Sequence, residues 1–164
     1  MAIQTEYLLD PIRALSGNIE RTSVADTDSK IAEGNIKFGR AVVAGTNAKI
    51  QVKTPVGATP KFLGVAVRDL ARENFLDGEE RTYYKEKDTL SILRSGYINV
   101  EIEAPVSIGD PVFYRHTAGA GGTELGIFRN DDDTATCAEI KGARFEFAGD
   151  ANSVVVIYLP AYSQ

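Results

Sequence analysis

The chain has 164 residues, and 18 basic residues against 23 acidic ones give it a formal net charge of −5. This length fits one domain that buries about 70% of its unfolded surface, and the acidic balance argues against a nucleic-acid surface, whose mark is a basic patch. A lone cysteine cannot form an internal disulfide, no signal-peptide pattern is present, and no apolar run approaches the ~20 residues of a membrane span. We therefore expect synthesis in a cytoplasm and no membrane partner.

Residues 1–34 differ from the rest, because their apolar side chains follow neither a helical nor a strand period. Chain ends are commonly loose, so this segment is either a disordered terminus or an arm that becomes ordered on a partner. We divide the chain into this N-terminal arm and a β-rich body over residues 35–164. The arm's candidate capsid- or subunit-binding residues are its scattered hydrophobic ones: Ile3, Tyr7, Leu8, Leu9, Ile12 and Leu15.

The body begins with predicted strands over 36–43 and 49–53, which form a hairpin around the turn at 44–47. The nearly continuous apolar run at 62–67 predicts a central, well-buried strand. Residues 68–80 are the best helix candidate, of one to two turns, although an ordered loop fits equally well.

The most regular pattern lies between Tyr97 and Glu103, where apolar and polar residues alternate without a break. In a strand, this alternation places Ile98, Val100 and Ile102 on one buried face. The opposite face carries Asn99, Glu101 and Glu103, which must be solvated or engaged in contacts. Gly96, just before, indicates a bend or bulge.

The remaining segments also alternate between strands and turns. After the Gly109-Asp110-Pro111 turn, strands are predicted over 112–115, 125–128, 135–140, 143–147 and 154–159, with a mobile glycine-rich tip at 118–122. Roughly nine to ten strands without alternating helices predict a mainly β chain: a single antiparallel β-barrel or β-sandwich domain with at most one short helix.

No convergent catalytic cluster is found. His116 beside the glycine-rich tip is interpreted as a mobile, solvated residue, and Cys137 as a small buried hydrophobic one. The turn at 131–133 lacks the EF-hand spacing of a calcium loop, and Glu101 and Glu103 are better explained as outward-facing charges than as a glycosidase pair. We therefore predict no catalytic residue, no metal site and no cofactor.

The order of several segments resembles the structural cement proteins that decorate tailed-phage capsids. The resemblance covers residues 17–159 and rests on five stretches: 32–42, 62–68 (FLGVAVR), 93–100 (LRSGYINV), 106–115 (VSIGDPVFYR) and 140–145 (IKGARF). Its structural turns and bends correspond to Gly39, Gly64, Gly96, Gly109, Asp110, Pro111 and Gly142.

This resemblance implies a non-enzymatic virion protein on the outer surface of an icosahedral head. It would bridge neighbouring copies of the major capsid protein and stabilise the expanded head. It also implies a homo-oligomer, for which analogy with other decoration proteins favours a trimer over a dimer. Two alternatives stay open: a tail-fibre or host-surface β module that binds glycans, and a small hydrolase with an unrecognised site.

Overall fold

The computed structural model describes residues 15–57, 61–70, 82–119 and 124–161. Within these ranges the chain forms eleven strands and one short 3-10 turn, Thr22–Val24. The strands are β1 (Asp26–Ala32), β2 (Ile36–Lys37), β3 (Ala41–Ala44), β4 (Gln51–Lys53), β5 (Phe62–Ala66), β6 (Tyr83–Tyr84), β7 (Thr89–Glu101), β8 (Pro111–Arg115), β9 (Phe128–Arg129), β10 (Cys137–Phe145) and β11 (Val154–Leu159).

The first half of the fold is a closed five-stranded barrel. Its strands follow the order β1-β4-β3-β5-β7, and β7 pairs back with β1. Every pairing in the ring is antiparallel except that of β1 with β4, which is parallel. The barrel's interior is filled by buried side chains, namely Ala32, Ile36, Phe38, Val42, Val52, Ala66, Tyr84, Leu90 and Ile92. The predicted mainly β barrel is thereby confirmed.

The second half is an antiparallel sheet that continues from β7 through β11, β10 and β8 to β9. This sheet also rolls, because a bridge between Ile102 and Phe128 brings β9 beside the residues that follow β7. Its inner face packs on the outer face of the barrel. The largest core of the protein lies between them and includes Val43, Val65, Leu93, Ile98, Val100, Ile102, Val112, Phe128, Ile140, Phe145 and Ile157.

Strand β7 belongs to both halves, and it changes partners near Gly96. Before this residue β7 pairs with β1 and β5, and after it β7 pairs with β11. Gly96 has a φ of +123°, and the register with β1 shifts between Asp26 and Thr27. A side chain at Gly96 would meet the Val24 carbonyl oxygen at 3.1 Å. Glycine therefore permits the bend that joins the two halves.

Several sequence predictions are confirmed. The hairpin of β3 and β4, the central strand β5 and the final strand β11 are present, but the strand predicted over 36–43 is two strands, because β2 pairs with β6 and β3 with β4. Two predicted strands near the C-terminal end are in fact one, β10, whose register with β8 breaks between Glu139 and Arg144. The strand expected at 125–128 is the shorter β9. Most of the helix candidate, 71–80, and residues 120–123 of the glycine-rich tip lie outside the described residues.

Strand β1 was missed by the sequence analysis, which placed residues 26–32 in the arm. Its sequence, DTDSKIA, lacks the apolar alternation of a half-buried strand. It is held by backbone pairing to β4 and β7 on either side, a type of contact that side-chain patterns do not report. Residues 1–14 of the arm lie outside the described residues.

Residues 17–20 attach the described start of the chain to the body by running antiparallel to β7. The Gly17 amide donates to the Asn99 carbonyl at 2.7 Å, and the Asn99 amide donates to the Asn18 carbonyl at 2.9 Å. Asn99 is fully buried, and its side-chain amide donates to the Asn18 carbonyl and to the Glu20 carboxylate, each at 3.1 Å. The polar face of β7 was expected to be either solvated or engaged in contacts. At Asn99 it is engaged in contacts.

This attachment depends on close backbone packing between Gly17 and Gly39. Gly39 has a φ of +70°, and a Cβ atom there would lie 2.6 Å from the Gly17 nitrogen and 2.0 Å from the Ser16 hydroxyl oxygen. The Arg68 amide donates to the Gly17 carbonyl at 2.8 Å, and the Arg68 guanidinium donates to the Ser16 carbonyl at 3.0 Å. We call residues 15–20 the anchor segment.

We predict that Gly39→Ala destabilises the fold more than Gly57→Ala does. Gly57 also has a left-handed φ, +93°, but no atom of the described residues lies within 4 Å of a Cβ placed there. The control should therefore cost about 1 kcal/mol for backbone strain alone. The clash at Gly39 should add about 1–3 kcal/mol. Urea unfolding of both variants measures the difference, and equal losses would contradict close packing at the anchor segment.

Candidate functional site

A surface cavity of about 560 Å³ lies where the anchor segment meets the body. Leu15, the first described residue, lines this cavity and is 49% exposed. Cationic and anionic side chains share its wall, namely Lys37, Arg40, Arg68, Glu101, Glu103 and Glu124. The cavity therefore has an apolar rim beside the arm and a strongly polar wall.

The charges on one side of this wall are paired with each other. The Arg40 side chain is only 6% exposed, and its guanidinium donates to Glu101 at 2.9 Å and to Glu124. Lys37 donates to the other oxygen of Glu124, and this hydrogen bond is the main reason why the pKa of Glu124 lies below its ordinary value. These pairs connect strand β2 and the β2–β3 turn to β7 and to residue 124.

A second charged network is buried next to the larger core. Arg115 is 1% exposed, and its Nε atom lies 3.0 Å from each oxygen of Glu103. Arg129 donates to Glu103 at 2.8 Å, and its guanidinium lies 3.0 Å from the Asp133 carboxylate, which also accepts from Arg115. The hydrogen bond to Glu103 is the main cause that raises the pKa of Arg115 above its ordinary value.

This network corrects the interpretation of Glu103 as an outward-facing charge. Its side chain is only 9% exposed, whereas that of Glu101 is 38% exposed. Glu103 lies beyond the end of β7, where the rolled second sheet surrounds it. The pairing with Arg115 and Arg129 is what permits its burial, because an unpaired buried carboxylate is strongly disfavoured.

His116 and Cys137 lie close to this network. His116 was interpreted as solvated, but it is 4% exposed, and its Nδ1 atom lies 2.9 Å from the Thr117 hydroxyl oxygen. It directly follows β8, and its amide donates to the Thr136 carbonyl at 3.0 Å, which holds it beside the start of β10. Cys137 is buried as predicted, and burial raises the pKa of its thiol.

The predicted binding and turn residues are distributed over the molecule. Ile3, Tyr7, Leu8, Leu9 and Ile12 lie outside the described residues, and Leu15 lies at the cavity. Among the turn residues, Gly64 lies against the Leu93 carbonyl oxygen. A Cβ atom placed at Gly64 would be 2.4 Å from that oxygen. Gly142, with a φ of +78°, lies within the register break of β10.

The turn before β8 is stabilised by its aspartate. Gly109 has a φ of +86°, and the Asp110 carboxylate accepts hydrogen bonds from the Ser107 amide at 2.9 Å and the Asn130 side chain at 2.7 Å. The bond from Ser107 is the main reason why the pKa of Asp110 lies below its ordinary value. Pro111 then begins β8, where its missing N–H is tolerated at the first residue of a strand.

Two further observations concern only the described ranges. They contain no group of three or more His, Cys, Asp or Glu side chains that could hold a metal ion. They also contain no helix with the length and apolar character needed to cross a bilayer.

Comparison with known proteins identifies the kind of protein that this fold represents. A family model described as "Structural cement protein (E217 gp24/Pam3 gp6)" matches residues 3–160. No curated protein sequence matches the chain.

Two solved structures align with the chain, and the first of them shares its fold. A chain from the capsid of Myoviridae phage XM1 superposes with a TM-score of 0.72 at 19% identity, covering 97% of this chain and 98% of that one. The N base of the head fibre gp8.5 of bacteriophage phi29 gives a TM-score of 0.47 at 13% identity, covering 85% of this chain and 98% of that one.

We predict that Glu103→Gln destabilises the protein by about 3–5 kcal/mol, because it leaves Arg115 buried without its main counter-charge. Glu101→Gln is the matched control, two residues earlier and partly exposed, and should cost about 1 kcal/mol or less. Chemical denaturation of both variants tests this difference. Similar losses would show that the buried network contributes no more than a surface ion pair.

The same network predicts a pH dependence of stability. The pKa of Asp133 is lowered in the folded state, mainly by the hydrogen bond from Arg115. Its stabilising contribution is therefore fully present above the ordinary aspartate range and is lost as the pH falls through the lowered folded value. The unfolding free energy should fall more steeply from about pH 5 to pH 2 in the wild type than in Asp133→Asn. Parallel curves would contradict this role.

Proposed function

Because the chain belongs to the structural cement protein family of phages, we propose that it decorates the outer surface of an icosahedral head. There it bridges neighbouring copies of the major capsid protein and stabilises the expanded head, without enzymatic activity. The observation that carries this proposal is the family match over residues 3–160, which includes nearly all of the arm as well as the body. Membership makes the chain a structural phage protein associated with the capsid.

The fold supports a division of labour between body and arm. The anchor segment is held to β7 and Arg68 by backbone hydrogen bonds, so its position on the body is fixed. Leu15, the last of the arm's apolar candidate residues, is half exposed at the edge of the cavity. In the proposed function, the body supplies a rigid platform and residues 1–14 reach onto the capsid. An arm that becomes ordered when it binds allows a small protein to cover a large area of its partner's surface.

Such an arm can bind by adding an extended segment to the edge of a capsid sheet. Main-chain hydrogen bonds then supply affinity, and pockets for alternate side chains supply specificity. The apolar residues Tyr7 and Leu9, which would share one face of an extended segment, are the first candidates for these pockets. Several copies joined in one oligomer would engage several capsid subunits at once, so a weak individual contact suffices. We retain a trimer as the favoured oligomer.

The alternative of a glycan-binding module is less well supported by the structure. Glycan binding calls for exposed aromatic side chains, and the candidates that the sequence offers are Tyr83, Tyr84 and Tyr97. Tyr84 is 1% exposed, packs edge-on against Phe38 inside the barrel and donates to the Val67 carbonyl at 2.6 Å. It is therefore a core residue.

We predict that deletion of residues 1–14 weakens binding to expanded, cement-free capsids by at least about tenfold. The deletion removes the apolar side chains of the arm up to Ile12 and leaves the anchor segment in place. Sedimentation with capsids gives the affinity and the saturation stoichiometry. The full chain should bind in hundreds of copies per head and raise the temperature of capsid rupture, as expected for a ligand of the assembled state.

Matched substitutions distinguish the contribution of the arm's side chains to binding from that of the arm's length. Leu8→Asp with Leu9→Asp should reproduce the loss, while Gln4→Ala with Thr5→Ala should bind like the full chain. Undiminished binding by the deletion would exclude a role of the arm. Failure of the full chain to bind expanded capsids would overturn the proposed function itself.

A further inference from the structure

A row of stacked aromatic and cationic side chains crosses the outer face of the second sheet. Tyr97 of β7 and Tyr158 of β11 are direct register partners, with ring centroids 5.1 Å apart. The guanidinium carbon of Arg21 lies 4.5 Å from the Tyr97 centroid, and that of Arg144 lies 4.4 Å from the Tyr158 centroid. We call these four residues the arginine–tyrosine row.

The row has the composition and order of a binding surface. Arg21 is exposed, the Arg144 side chain is 48% exposed, and the two tyrosines are partly exposed between them. Tyrosine and arginine are enriched among the residues that dominate protein interfaces. Stacking on the rings also orders the guanidinium groups before a partner arrives, which reduces the entropy lost on binding. Arg144 already pairs with Glu146, with its Nε atom 2.8 Å from the carboxylate, so the partner that fits is one with a carboxylate that can approach Arg21.

The chain itself carries a carboxylate-rich projection with a fixed shape, the acidic turn at residues 131–135. Asp133, Thr134 and Ala135 have consecutive left-handed φ values of +40°, +60° and +63°, which are costly for residues other than glycine. The turn is held in this form because Asp133 binds Arg115 and Arg129 and Asp131 binds Arg129, so both of these carboxylates are paired within the chain. Asp132 is exposed within the turn.

The two surfaces lie at opposite ends of β10. The acidic turn comes directly before Cys137, where β10 begins, and Arg144 is the second-last residue of the strand. Seven residues of strand separate them by about 20 Å, so a single copy cannot bring Asp132 against its own row. Two copies can do so in a head-to-tail arrangement.

We propose that the arginine–tyrosine row of one copy binds the acidic turn of a second copy. The contact is heterologous, because different surfaces of the two copies meet, and repetition about a rotation axis closes a ring. The inference extends the self-association included in the proposed function. It is tested without capsids, so its failure leaves capsid binding by the arm untouched.

Charge reversal tests the contact directly by sedimentation velocity of the purified full chain. Arg21→Glu and Asp132→Lys each place like charges opposite each other, so each should weaken self-association at least about tenfold. The double variant restores opposite charges and should associate within about threefold of the wild type. Raising the salt concentration should weaken association of the wild type, since both surfaces are exposed.

Mixing the two single variants provides a second rescue that does not require the double variant to fold. A row of one variant then meets a turn of opposite charge on the other, so the mixture should form mixed pairs more tightly than either variant associates alone. Lys49→Glu and Asp150→Lys make the same charge changes at other exposed turns and should associate like the wild type.

Each remaining outcome would overturn the proposal. A wild-type chain that stays monomeric would exclude the contact. So would single reversals that leave association unchanged, or a loss that neither the double variant nor the mixture restores. If Arg21→Glu lowers only the unfolding temperature and leaves association intact, the row stabilises the sheet and is not an interface.

Discussion

The whole structure depends on one constraint: a single strand must serve two rolled sheets. Strand β7 closes the barrel with its first half and starts the second sheet with its second half. Before Gly96, alternation of side chains makes Leu90 and Ile92 fill the barrel while Leu93 faces the larger core. After Gly96 the faces are exchanged, so that Ile98 and Val100 also face the larger core. A shift of one residue would exchange the two sets, so the register of this strand is strongly specified. The bend at Gly96 is what allows both cores to form.

The features that could be predicted from the sequence are those that appear as side-chain patterns over neighbouring residues. The alternation from Tyr97 to Glu103 predicted the buried face of β7, and the valine-rich run at 154–159 predicted β11. Strand β1 could not be predicted this way, because backbone hydrogen bonds from both sides hold a mostly polar segment. The burial of Glu103 also escaped, because its partners Arg115 and Arg129 are 12 and 26 residues away. A carboxylate in a strand pattern gives no sign of a distant arginine.

For the site as well, the sequence indicated the part that depends on side chains and missed the part that is made by backbone atoms. The apolar residues of the arm stand out against a polar segment, and Leu15 lies at the cavity where that arm meets the body. The anchor segment was not foreseen, because its contacts are made by backbone atoms of Gly17 and Asn18. The one signal for it was the pair of glycines, Gly17 and Gly39, each of which allows another backbone to come close. Without the topology, nothing indicated that these two glycines face each other.

A cement protein needs no reactive group, because binding alone stabilises the assembled shell. Each occupied site contributes about 2.7 kcal/mol when the free protein is at 100 times its dissociation constant, and a shell has many sites. In the proposed function, the arm and body of one copy act as linked binding modules, so their combined affinity depends on the effective concentration that the link provides. A fixed exit point keeps that concentration high, because the body's position restricts where the arm can search. If the arm binds the capsid as proposed, the backbone contacts that hold the anchor segment matter to attachment as much as the apolar side chains that the arm carries.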